Sequence, residues 1–270
     1  MPRLIFLKLG GSIITNKDQT NTPNIESIET IARGIKQAMD QDQSLSVLIG
    51  HGSGSFGHHA AKKYGTRKGV FNYESWCGFT EVALRARELN QIVMEQFNRC
   101  GINSVSISPF SGVQADNCRI TTWDTSIMAD CLYQRLIPVI YGDVIMDHHL
   151  GGTILSTEEL FAYLAPRLHP EKILLAGLEE GVWDDFPQNT QLIKEIHPED
   201  FQALKSKITG SDSPDVTGGM FSKVQSMISL IKQLPSLEVQ IFSGVTQDNI
   251  YSALMGEPKG TLIRNPKGES

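Results

Sequence analysis

Four glycines fall within eight residues in Gly50-His51-Gly52-Ser53-Gly54-Ser55-Phe56-Gly57, and His58 and His59 follow at once. Glycine lets a backbone pass close to a ligand, and successive N–H groups in such a turn form a concavity suited to anionic oxygens. The run lies between an apolar stretch, Leu45 to Ile49, and the helix-forming Ala60-Ala61-Lys62-Lys63-Tyr64. A helix starting there adds free N–H groups and the positive end of its dipole. The chemistry offered is a phosphate cradle with an imidazole at its rim. An ordinary glycine-rich turn between a strand and a helix is the competing reading. Other apolar runs also end in reactive types: Lys8 with Gly10-Gly11-Ser12, Gly142 with Asp143, and Thr217-Gly218-Gly219 followed by Lys223. Lys17 stands in a polar loop nine residues after Lys8. Three lysines could neutralise a polyphosphate, and glycine turns supply close-range donors. Phosphoryl transfer asks for that combination, because its transition state spreads charge over equatorial oxygens and needs positioning and electrostatic support. There is no GxxxxGK[ST] and no protein-kinase motif set, so the phosphate site must be of another design.

The elements that would hold these residues alternate. Leu4–Leu7, Leu45–Ile49, Val105–Ile107, Pro138–Asp143, Lys172–Ala176, Leu237–Phe242 and Gly260–Arg264 read as strands. Ile25, Ile28, Ile31, Ala32, Ile35 and Met39 recur at helical spacing, as do Phe79, Val82, Ala86, Leu89, Val93 and Phe97 in a long helix over Glu74–Arg99. Ser126–Leu136, Ser156–Leu168, a segment opening at Thr217 and Gln247–Met255 complete the helices, with Ser156 and Glu159 spaced as a capping box. Val144–Ser156 reads as a hairpin turning at Asp147-His148-His149-Leu150-Gly151-Gly152, whose two histidines are tip residues and not metal ligands. Strand–helix alternation predicts an α/β layered fold with a mostly parallel sheet, and the absence of linker composition or repeats predicts one domain with two lobes. In such sheets ligands bind at the carboxyl ends of strands, where Lys8 and the glycine turns lie.

At 270 residues the chain can bury a substantial core, and 40% hydrophobic with 20% charged residues is ordinary for a soluble protein. A net charge of −6 argues against general nucleic-acid binding. No apolar run reaches the length of a membrane span, and the apolar start breaks at Lys8, unlike a signal peptide. Cys77, Cys100, Cys118 and Cys131 lack metal or disulfide-framework spacing and read as reduced thiols of a cytoplasmic protein.

Five segments, LKLGGSIITNK (7–17), GHGSGSFGHHAAKKYG (50–65), YGDV (141–144), GGTILSTEEL (151–160) and DVTGGMFSKV (215–224), occur in an order that resembles the amino-acid-kinase superfamily and, within it, the isopentenyl phosphate kinases. The resemblance spans essentially the whole chain. It implies a three-layer αβα sandwich, usually homodimeric, with the acceptor phosphate over an N-terminal lobe (about 1–170) and ATP over a C-terminal lobe (about 171–270). ATP and Mg2+ are the implied cofactors, isopentenyl phosphate the implied acceptor, and no residue of the chain is assigned to a metal.

By resemblance, Lys8 contacts the transferring phosphoryl group, Gly10, Gly11, Ser12 and Gly54 line the ATP phosphates, and Lys17 stabilises the transition state. Ser53, Gly57, His58 and Gly152 fall to the acceptor side, Asp143 organises the lysines, and Gly219 with Lys223 holds nucleotide phosphates. His58 separates phosphate acceptors from the carboxylate acceptors of other members, since an imidazole donor suits a phosphate or phosphonate oxygen. A fosfomycin-type phosphonate kinase, another small-phosphate kinase and a non-catalytic nucleotide-binding relative are the alternatives. Two departures from the pattern stand out: Leu178 in Gly177-Leu178-Glu179-Glu180-Gly181-Val182 where relatives carry an aspartate, and Ser156-Thr157-Glu158-Glu159 where Ser-Gly-Asp-Asp is common. Neither is expected to touch the residues of phosphoryl transfer. Phe79, Ile145, Met146 and Ile154 are the candidate liners of an acceptor pocket.

Overall fold

The computed structural model describes residues 3–16, 18–208 and 219–266. The chain opens with β1 (Arg3–Leu9), the one-turn α1 (Gly11–Ile14), α2 (Ile25–Gln41), β2 (Leu45–His51), α3 (Gly54–Tyr64) and the long α4 (Tyr73–Arg99). Short strands β3 (Ser104–Ser106), β4 (Gln114–Asp116) and β5 (Arg119–Thr122) lead through α5 (Ser126–Tyr133) to β6 (Ile137–Tyr141), β7 (Asp143–Asp147), β8 (Gly151–Leu155) and α6 (Thr157–Leu168). Then come β9 (Lys172–Gly177), β10 (Val182–Trp183), β11 (Leu192–Ile193), β12 (Glu195–Ile196), α7 (Phe201–Ile208), α8 (Gly219–Gln233), β13 (Glu238–Ser243), α9 (Gln247–Leu254) and β14 (Thr261–Ile263).

Eight strands form the main sheet in the order β12-β14-β13-β9-β1-β2-β6-β3, parallel throughout except between β13 and β14. Side chains alternate across a strand, and β1 shows what that does here. Ile5, Leu7 and Leu9 enter a core with Ile28, Ile31 and Ile35 of α2, Leu89 and Val93 of α4 and Ile250 of α9. Phe6 enters the opposite core with Phe161 and Leu164 of α6 and Met227 and Ile228 of α8. Burial on both faces explains why these strands read as unbroken apolar runs. The result is the three-layer αβα sandwich that the resemblance implies.

A second sheet, β5-β4-β7-β8, carries the predicted hairpin between β7 and β8. The strands β4 and β5 have three and four residues, too few to show a period, and were not anticipated. Beneath the hairpin a small separate core joins Ala60 and Ala61 of α3, Val70, Phe79 and Val82 with Val144, and Trp76 and Ile154 pack against it. The predicted capping box at α6 forms: Ser156 N–H donates to Glu159 Oε2 at 2.7 Å and Glu159 N–H to Ser156 Oγ at 3.3 Å. Such a cap is worth about 1 kcal/mol. All four cysteines are free thiols. Among the described residues no helix is long and apolar enough to cross a membrane.

Candidate functional site

Lys8 lies inside β1, in register with Gly50 of β2 on one side and Leu175 of β9 on the other. Strand alternation sends its side chain to the face that Phe6 shares with α6. On that face Gly50 leaves room for the start of α6: a Cβ there would stand 2.3 Å from Thr157 Cγ2 and 2.8 Å from the Phe161 ring. The Thr157 hydroxyl donates to the His51 carbonyl at 2.7 Å and ties that first turn down to β2. The next residue, Glu158, then meets Lys8 in a nearly buried ion pair, Nζ to Oε1, with side-chain exposures of 12% and 11%. Burial alone would push the Glu158 carboxyl up. The positive charges of Lys8 and Lys223 overcome that and hold it below the ordinary glutamate value. The site therefore contains two lysines from different elements focused on one buried carboxylate, beside the carboxyl end of the central strand.

The glycine turns after β1 and β2 interlock next to this group. Gly10 N–H donates to the Ala176 carbonyl at 2.8 Å, and Gly52 N–H to the Leu9 carbonyl at 3.0 Å. A Cβ on Gly11 would stand 2.4 Å from the Gly54 nitrogen. Gly54 itself has a φ of 48°, and a Cβ there would meet Thr15 Oγ1 at 2.2 Å. Thr15 joins the two turns, its hydroxyl donating to the Gly11 carbonyl at 2.7 Å and accepting from Ser55 N–H at 3.0 Å. Two backbones at this separation expose their N–H groups without intervening side chains, which is the geometry of an anion cradle.

The other predicted positions fall around this centre. Ser12 lies in α1, half-buried. Ser53 precedes α3 and its hydroxyl covers Gly57, where a Cβ would be 2.3 Å from Ser53 Oγ. His58 is exposed on α3 one turn after Gly54, hence on the same helix face. Gly152 sits under the Phe79 ring, 2.7 Å from a Cβ it lacks, so the hairpin, α4 and the small core meet there. Of the candidate liners, Phe79 and Ile154 belong to that core, whereas Ile145 is buried in the α6 layer and Met146 is 46% exposed. Gly219 begins α8 and Lys223 follows one turn later. Leu178 is exposed just past β9. Lys17, Thr217 and Gly218 lie outside the described residues.

Two expectations change. The Ser-Thr-Glu-Glu departure does touch the centre, because Glu158 is the carboxylate on Lys8. Asp143 has other partners: after Gly142 the chain turns from β6 into β7, and its carboxylate accepts from Val144 N–H at 2.8 Å and from the Ser108 hydroxyl at 3.4 Å. A glutamate two residues into a capping box stands where the helix dipole alone would favour a carboxylate. Only the depth of Gly50 beneath α6 reveals it as a core-facing group.

Asp143 and His51 are buried ionisable groups with opposite leanings. Burial raises Asp143 from the ordinary 3.8 to about 7, against the downward pull of the Val144 and Phe110 N–H groups, Ser108 and Arg87. Burial lowers His51 from 6.5 to about 4. Native Asp143 holds its proton more tightly than the unfolded chain does, so its contribution is full below pH 4 and fades as pH rises to 7. Native His51 holds its proton less tightly, so its contribution is full above pH 6.5 and fades as pH falls to 4. The two slopes oppose each other between those limits. Asp143→Asn should unmask the histidine slope and leave the variant more stable than the parent at pH 8 by about 2–4 kcal/mol. Denaturant midpoints at pH 4.5, 6 and 8 check this, and identical slopes for variant and parent would refute it.

The amino acid kinase family model matches residues 3–243. The chain is 36% identical to an isopentenyl phosphate kinase of Methanocaldococcus jannaschii over 96% of its own length and 98% of that protein. It is 33% identical to an isopentenyl phosphate kinase of Methanothermobacter thermautotrophicus, again over 96% and 98%. A solved isopentenyl phosphate kinase structure superposes with a TM-score of 0.81 at 29% identity, covering 97% of this chain and 100% of that one.

Proposed function

The chain belongs to the amino acid kinase family, and on that footing we propose that it transfers the γ-phosphoryl group of ATP to isopentenyl phosphate, giving isopentenyl diphosphate and ADP. The convergence of Lys8 and Lys223 on buried Glu158, beside the interlocked glycine turns, is the observation that carries the reading. An oxygen of the acceptor phosphate attacks the γ-phosphorus, and the bond to the oxygen bridging β and γ breaks. Both reactants are anions, so the protein's task is to hold them together. Lys8 supplies a cation held in place by Glu158. The Gly10–Gly11 and Gly52–Gly54 turns supply backbone donors, Lys223 neutralises the nucleotide side, and Lys17 stabilises the charge of the transition state. His58 and Ser53 take the acceptor phosphate, and the edge of the small core, where Ile154 and Trp76 are partly exposed beside Phe79, takes the hydrocarbon tail. The acceptor then lies over the N-terminal lobe (about 1–170) and ATP over the C-terminal lobe (about 171–270), in a cytoplasmic homodimer.

Magnesium accompanies ATP in this reading. No group of three His, Cys, Asp or Glu side chains among the described residues could cage an ion. The ion would be carried mainly by the nucleotide phosphates, as is usual for Mg2+, where it would supply charge neutralisation.

ADP release from ATP and magnesium with isopentenyl phosphate tests the reading, with acetylglutamate, fosfomycin and a chain-length series of alkyl phosphates alongside. Release with acetylglutamate or fosfomycin but not isopentenyl phosphate would overturn the acceptor assignment. His58→Ala sharpens it: loss of one hydrogen bond to a charged oxygen costs about 1.5–3 kcal/mol, or ~10–100-fold in kcat/KM for the acceptor. ATP affinity should stay within about twofold, and an equal loss on both sides would move His58 to the nucleotide.

A further inference from the structure

His51 closes β2 in register with Leu9 and Tyr141 and is fully buried. Its ring stacks on Tyr141 with centroids 5.5 Å apart and an interplanar angle of 16°. Nδ1 lies 3.0 Å from the Gly52 carbonyl oxygen, and Nε2 lies 3.1 Å from Asn90 Nδ2. The Ser106 hydroxyl donates to Asn90 Oδ1 at 2.5 Å. For a neutral ring these three contacts admit one proton assignment. A carbonyl oxygen only accepts, so Nδ1 carries the hydrogen; Nε2 is then an acceptor, and Asn90 presents its amide NH2 to it and its oxygen to Ser106. The other neutral tautomer would set a lone pair against the Gly52 oxygen. The depressed basicity of the buried ring agrees with a neutral imidazole.

We infer that His51 is a positioning residue, whose Nδ1–H holds the Gly52–Ser53 peptide so that the Ser53 and Gly54 N–H groups face the phosphates. The argument follows the backbone. Gly52 N–H is already tied to the Leu9 carbonyl. Its carbonyl is tied to the His51 ring, and in a trans peptide the following N–H points the opposite way. The only cis peptide among the described residues is Phe186–Pro187. A turn made of glycine has little rigidity of its own, so the ring behind it sets its orientation. Among the described residues neither Ser53 N–H nor Gly54 N–H has a hydrogen-bond partner, while Ser55 N–H goes to Thr15. A chain of Ser106, Asn90 and His51 thus fixes which way the cradle opens from the α4 side of the sheet, the face opposite Lys8.

The inference rests on the phosphoryl-transfer reading for its kinetic test and not for its spectroscopic one. In 15N-labelled protein the His51 ring, assigned by the resonance lost in His51→Asn, should be neutral and Nδ1-protonated from pH 7 down to pH 5. A charged or Nε2-protonated ring at pH 7 overturns the inference whether or not the protein turns over. In kinetics, an asparagine amide nitrogen reaches the place of Nδ1, and a glutamine amide reaches only that of Nε2. His51→Leu and His51→Gln should lower kcat about tenfold, and His51→Asn should restore most of it, at matched fractions folded. Equal losses in the asparagine and glutamine variants would reduce His51 to a packing residue. Absence of ADP release from the parent protein with a correct tautomer would sink the reaction assigned and leave the orientation of the turn standing.

Discussion

Lys8→Met should lower kcat by ~10²–10³, the usual consequence of deleting one preorganised donor at a developing charge. The size follows from how Lys8 is held. Its ammonium is nearly buried, it projects from the central strand of a parallel sheet, and Glu158 fixes its direction. A cation so placed reorganises little when charge builds on the transferring group. The same burial complicates the experiment, because removing Lys8 leaves Glu158 without its nearest partner. Breaking a buried pair costs about 3–5 kcal/mol, offset in part by the charge of Lys223 that also bears on Glu158. Stability and turnover must therefore be read separately. The double variant Lys8→Met/Glu158→Gln removes both charges and should recover much of the melting temperature lost by the single variant, with kcat still down by ~10² or more. If turnover recovers along with melting temperature, Lys8 serves the fold and not the reaction. Near-normal turnover in the single variant would remove it from the mechanism outright.

How far these features could be read before the fold was known depends on the range of the interaction. The sheet strands, the α2 and α4 periodicities and the α6 capping box are local patterns, and each appears where the sequence places it. Lys8 beside a double glycine was legible for the same reason. Glu158 was not, because its partner is 150 residues away and the link runs through Gly50, a position whose meaning is the space it leaves under Thr157 and Phe161. Asp143 has its organising role by resemblance alone. A one-residue turn at Gly142 instead sends it to Ser108 and the α4 side. His51 was hidden in plain view: it reads as one more residue of a glycine-rich run until strand alternation turns it toward Asn90, away from the face of Lys8.

Gly11→Ala should cost ~10² in kcat and about 1–3 kcal/mol in stability, although it adds a single methyl group. The added Cβ would lie 2.4 Å from the Gly54 nitrogen and 2.5 Å from the Gly54 Cα, both backbone atoms that cannot swing aside. Carbon contacts settle near 3.5–4 Å, so the two turns must part by roughly 1 Å. Neither is free to move alone. Gly10 is hydrogen-bonded to β9 through Ala176, and Gly52 to β1 through Leu9. Thr15 bridges Gly11 to Ser55 across the gap. The space beside Gly54 is filled as well: a Cβ on it would meet Thr15 Oγ1 at 2.2 Å and the Gly11 carbonyl oxygen at 2.7 Å. The displacement therefore goes into the relative position of the two sets of phosphate donors. A misplacement of that order between reacting groups is worth about two powers of ten in rate. Affinity for each substrate measured alone should change less than kcat, because each turn keeps its own N–H groups. A variant that loses stability but keeps kcat would show that the two turns do not face one reaction centre, and the phosphoryl-transfer geometry would have to be drawn elsewhere in the molecule.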